Sequence, residues 1–195
     1  MDHPFLQTKQ LPNWSAMLPE KIEADINKTL QSAKEAIDDI SQLSERNTNL
    51  NYTNTFAAFE KALEPLNTAW GFVNHLDSVN NSKELRKAFN AMLPKVTQFY
   101  TDIPLNPDLW KALKRFGQSE NVLQLSPTQK RHIEETLADF REEGADLPDS
   151  KKEQVRNIQK DLAELTQRYS ENCLDATNAW DHVVNDASQL EGLPK

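Results

Sequence analysis

The side chains with catalytic potential are few and scattered. Four histidines (His3, His75, His132 and His182) and one cysteine, Cys173, stand among 30 acidic residues. A zinc hydrolase helix needs H-E-x-x-H, which sets two imidazoles one turn apart with a carboxylate between them. The nearest string, His132-Ile133-Glu134-Glu135, lacks both the adjacent glutamate and the second histidine. His75-Leu76-Asp77 and Asp181-His182 each pair an imidazole with an acid, but one or two ligands do not close a zinc shell. The glycines at 71, 117, 144 and 192 lie too far apart for a phosphate-cradling loop. Glu134, Glu135, Glu142 and Glu143 read as a solvated helix face, and the histidines as surface or capping residues. Cys173 has no basic sequence neighbours to stabilise a thiolate, so it reads as a packed thiol. No catalytic, cofactor-binding or metal-binding residue is assigned to this chain.

Composition narrows the function classes further. The 195 residues carry a net charge of −8 with pI near 5.1. A nucleic-acid surface needs a basic stripe, and Lys130-Arg131 and Lys151-Lys152 sit beside acids instead. No apolar run approaches the roughly 20 residues that cross a bilayer. A lone cysteine and the absence of a signal-like start fit a reducing compartment. The expectation is a cytoplasmic protein with no nucleic-acid or membrane partner.

Any functional side chain must then be positioned by helices. Only 4 glycines occur, too few for the tight turns of a β-rich fold. Residues 1–18, with Pro4, Phe5, Pro12 and Trp14, read as an extended strap. Pro19 opens a first helix in which Ile22, Ile26, Leu30, Ala33, Ile37, Ile40 and Leu43 recur at helical steps to about Arg46. A second helix starts near Thr53 with Phe56, Phe59, Leu63, Leu66, Trp70, Val73 and Leu76 on one side. Pro65 inside it, and Pro94 inside the third, predict kinks. Ser82 caps the third helix, and Asn106-Pro107 begins a fourth that stops at Gly117. Ser126 with Gln129 forms a capping box for the fifth, which ends at Gly144. A second such box, Ser150 with Glu153, opens a helix over about 150–184, roughly 50 Å long at about 1.5 Å per residue. Val155, Ile158, Leu162, Leu165, Tyr169, Ala176, Trp180 and Val183 mark one face, so this helix is expected to lean on neighbours. The fold class is all-α, a bundle of about six helices. Trp14, Phe56, Phe59, Trp70, Phe72, Trp110, Phe116 and Trp180 exceed a minimal core, and core packing is the favoured role for them.

Several strings also occur in a recognisable order. Leu11-Pro12 with Pro19-Glu20 comes first, then Ala69-Trp70 running into His75-Leu76-Asp77-Ser78-Val79-Asn80-Asn81-Ser82. Glu84-Leu85-Arg86, Asp139-Phe140-Arg141 and Leu174-Asp175-Ala176-Thr177 follow. In this order the chain resembles the N-terminal part of the thimet-oligopeptidase family of zinc metallopeptidases. The resemblance implies a helical lobe at 19–185 and a polar tail at 186–195 leading to a missing catalytic domain. It implies a substrate channel for short peptides, with zinc held by the absent C-terminal lobe. The partners it implies are that lobe and the peptides, and the fragment alone would be inactive. Apolar side chains are expected to stand bare where the absent lobe docks. The rival reading is a stand-alone helical interaction module derived from such a lobe.

Overall fold

The computed structural model describes residues 3–7, 11–46 and 49–192. Six α-helices appear in chain order: α1 (Pro19–Ser41), α2 (Phe56–Val79), α3 (Lys83–Leu105), α4 (Pro107–Gly117), α5 (Pro127–Glu142) and α6 (Asp149–Asn178). No strand occurs among the described residues. The chain is all-α, as its glycine count and periodicity require.

Local chemistry sets most of the boundaries. The Ser82 hydroxyl accepts from the Leu85 amide, and Asn106 Oδ1 accepts from the Asp108 and Leu109 amides. The Ser126–Gln129 capping box is complete in both directions. After α5, Gly144 takes φ +105. The Ala145 amide then reaches the Phe140 carbonyl at 2.8 Å and the Gly144 amide reaches that of Arg141 at 3.1 Å, a double closure of the helix end. A Cβ on Gly117 would meet Leu137 Cδ1 at 2.6 Å, so glycine is what lets α4 approach α5. Pro65, Pro94 and Pro104 lie inside unbroken helices. α1 stops at Ser41 and yields to a 3-10 turn at Gln42–Ser44, while α2 starts at Phe56 rather than near Thr53. The expected connection at 47–51 falls partly outside the described residues.

Two apolar cores run through the body. One joins the strap to the facing parts of α1, α2 and α3 through Phe5, Met17, Ile22, Ile26, Leu66, Val73, Phe89 and Met92. The other joins α1, α2, α4 and α5 through Ile40, Phe56, Phe59, Leu109, Trp110, Phe116, Ile133 and Phe140. Trp110 stacks on Phe140 at 5.9 Å, with the Arg141 guanidinium 5.6 Å from the indole centre. Trp70 stacks on Phe89 at 4.9 Å. Most of the expected aromatics therefore serve packing; Trp14 and Trp180 are exposed instead.

Neither core contains a residue of α6. Here the structure corrects the sequence-based expectation in four respects. The helix begins at Asp149 because the Pro148 carbonyl already accepts from the Lys152 amide at 3.0 Å. Ser150 is then inside the first turn, where its hydroxyl caps nothing, and Glu153 pairs with Arg156 instead. The helix ends at Asn178 rather than near 184; Trp180 and Val183 beyond it are exposed, so little burial offsets the cost of ordering further turns. The face of Ile158, Leu162, Leu165 and Tyr169 points to solvent, not to the bundle. Cys173 is exposed rather than packed.

The strap is held by a charge under the surface. Asp25 is buried, its Oδ1 accepting from His3 Nδ1 at 2.6 Å and its Oδ2 from the Phe5 amide at 3.0 Å. A buried carboxylate survives only with such partners. Asp25→Ala would orphan the buried Phe5 amide, a loss of about 1–3 kcal/mol. Limited proteolysis should then cut the strap well before the helices, and unchanged cleavage would rule out this anchoring.

Candidate functional site

Two of the family-like strings, 77–86 and 174–177, far apart in sequence, meet at α6. Arg86 on α3 grips Asp175 on α6 through two bonds, Nη1 to Oδ2 at 2.9 Å and Nη2 to Oδ1 at 2.8 Å. Such forked pairing fixes orientation as well as distance. One turn earlier Glu171 Oε1 accepts from Asn90 Nδ2 at 2.8 Å and Gln167 Nε2 at 3.2 Å. Arg86 Nε is buried without a hydrogen-bond partner, 3.9 Å from that same oxygen. Asn81 Nδ2 donates to Asp77 Oδ1 at 2.7 Å behind this group.

The charges are tuned by these contacts. Burial pushes the Asp77 carboxyl above its ordinary value, against an opposing hydrogen bond from Gln167, and the Glu171 charge adds to the rise. The bond from Arg86 holds Asp175 below its ordinary value. The same bond pushes the Arg86 guanidinium further above its ordinary value.

A second tie secures the start of α6. Lys152 is buried, and its ammonium donates to the Leu105 carbonyl at 3.1 Å. That carbonyl belongs to the last turn of α3, where the helix dipole favours a cation. Arg156 Nε adds a 2.6 Å bond to Asp102. Between the two ties a groove of about 340 Å³, lined by Leu93, Pro94, Thr97, Lys160 and Ala163, separates α3 from α6. Thus polar ties hold α6 to the body at both ends, Val155, Ala163 and Leu174 are half-buried, and Ile158, Leu162, Leu165 and Tyr169 turn outward.

The histidines are dispersed. His3 bonds Asp25, His75 lies 5.1 Å from the Trp14 ring, and His182 stacks on Trp180. His132 lies between Tyr52 and Glu60, Nε2 donating to the Glu60 carboxylate at 3.2 Å and Nδ1 meeting the Tyr52 hydroxyl at 3.0 Å. This three-residue chain was not visible in the sequence, since Tyr52, Glu60 and His132 share no local pattern. The described residues hold no group of three or more His, Cys, Asp or Glu placed for a metal ion. Those residues do not fit a catalytic zinc.

The N-terminal domain pattern of the Neurolysin/Thimet oligopeptidase family matches residues 26–152. The chain belongs to that family. Its whole length also aligns, at 31% identity in each case, with oligopeptidase A of Haemophilus influenzae and of Escherichia coli. A probable cytosolic oligopeptidase A of Arabidopsis thaliana is 26% identical over 98% of the chain. The chain spans only about 28% of the length of the two bacterial relatives. In this oligopeptidase-family chain, the strings around Asp77, Arg86 and Asp175 form the α3–α6 clasp. Those around Trp70 and Phe140 form aromatic stacks.

The clasp should be separable from the cores. Arg86→Ala or Asp175→Asn should speed amide exchange across 167–178 by about three- to tenfold while leaving α1–α5 protected. The double variant should be no faster than either single one. Because Asp175 is depressed in the folded state, its contribution is complete above the ordinary aspartate value of 3.8 and is lost as pH falls through the depressed one. Wild-type exchange should converge on that of Asp175→Asn only under such acid conditions. Convergence at neutral pH would show that the pair contributes nothing.

Proposed function

We propose that this chain is the N-terminal substrate-channel lobe of a cytoplasmic zinc metallo-oligopeptidase that hydrolyses short peptides. The observation that carries this reading is the end-to-end alignment with about 28% of oligopeptidase A, under the N-terminal domain pattern of its family. Zinc and the activation of water are assigned to the polypeptide beyond these residues, where a metal would lower the pKa of its bound water. The lobe contributes shape. A rigid helical wall excludes folded proteins and holds a short peptide near the metal, which raises its effective concentration there. The two closed cores supply that rigidity, and α6 supplies the surface that joins the wall to the remainder.

The test compares the purified 195-residue chain with the polypeptide encoded by its complete reading frame. A quenched fluorescent peptide of about ten residues reports cleavage, and metal analysis reports zinc. The chain alone should neither cleave nor hold stoichiometric zinc, whereas the complete polypeptide should do both and lose turnover to a chelator. Chelator-sensitive cleavage by the pure chain would overturn the division of labour.

A further inference from the structure

We propose that the outward stripe of α6 is the docking face for an amphipathic helix from the polypeptide that follows these residues. This rests on the reading of the chain as an oligopeptidase lobe, and adds which surface joins it to the remainder and by what geometry. Val155, Ile158, Leu162, Leu165 and Tyr169 step by three and four, the spacing of a seam that receives knobs from a second helix. Ile158, Leu162, Leu165 and Tyr169 are 63%, 54%, 60% and 71% exposed. A continuous apolar stripe so open to water marks a surface that is covered in the working protein. Isolated exposed residues such as Leu123 carry no such meaning.

The opposite side of α6 is already committed. Lys152, Arg156, Glu171 and Asp175 hold it to α3, so the helix cannot roll to bury its stripe without breaking the clasp. The stripe therefore needs an external occupant. Its borders, Gln154, Asp161, Thr166 and Arg168, carry one acid and one base, which suits an apolar helix better than a charged surface. Two further observations name the source. The N-terminal domain pattern stops at residue 152, in the first turn of α6, so nearly all of this helix lies beyond the N-terminal unit. The chain fills only 28% of its bacterial relatives, so on the oligopeptidase reading a larger body follows in the same polypeptide and supplies the helix. Asn172 stands at the next seam position, where a lone polar residue fixes register between paired helices.

Cys173, free and exposed one turn beyond Tyr169, reports occupancy of the seam edge. Its alkylation by iodoacetamide is measured in the 195-residue chain and in the complete polypeptide, each as wild type and as Leu162→Asp/Leu165→Asp. In the chain the double variant should keep the wild-type Tm and helix content, because both positions are exposed. In the complete polypeptide Cys173 should react at least about tenfold more slowly than in the chain, and the double variant should restore the fast rate. Equal rates in chain and complete polypeptide, with peptide cleavage intact, overturn the docking face and leave the peptidase reading standing. A protected Cys173 without peptide cleavage does the reverse. A dimer of the complete polypeptide that the double variant splits would make a second copy the occupant and overturn the proposal. A reading frame that closes at Lys195 would overturn it as well.

Discussion

The arrangement of this domain depends on how α6 is attached. A 30-residue amphipathic helix would ordinarily bury its apolar stripe in its own bundle, since packing supplies most helical stability. Here α1 to α5 and the strap complete two cores without it. The long helix is instead fixed at one end by a buried ammonium on a main-chain carbonyl, and at the other by a forked ion pair. The exposed ion pair gives direction without much net free energy, and the buried ammonium fixes the other end through a charge-assisted bond. They set where the helix points while its apolar residues stay available.

The same feature explains what the sequence could and could not disclose. Helix starts at Ser82, Asn106 and Ser126 were legible because a cap is a local bond between residues two or three apart. The end of α5 at Gly144 was legible for a similar reason, since few residue types tolerate its backbone angle. The stripe from Val155 to Tyr169 was legible as a face, but periodicity does not say which body covers that face. The exposure of Cys173 and the early end of α6 at Asn178 follow from that one ambiguity. The Ser150 box failed because the Pro148 carbonyl, invisible as a signal, caps the helix two residues sooner.

At the clasp, the family-like strings told order and not proximity. Arg86 and Asp175 are 89 positions apart, and nothing local in either segment names the other. Once folded they bring two of those strings together, with Asn81 behind Asp77. The Tyr52–His132–Glu60 chain lies in the same blind spot, with its members on the segment before α2, on α5 and on α2. The four histidines were unpatterned in sequence and are dispersed in space.

The two anchors of α6 differ in how they tolerate drift. Lys152 bonds a peptide carbonyl that every amino acid at position 105 would provide, so mutation of α3 side chains cannot delete its acceptor. The Arg86–Asp175 end depends on two particular side chains and can be rewired by one substitution. Divergence among descendants of this chain is thus free to re-aim the far end of the helix while its root stays put.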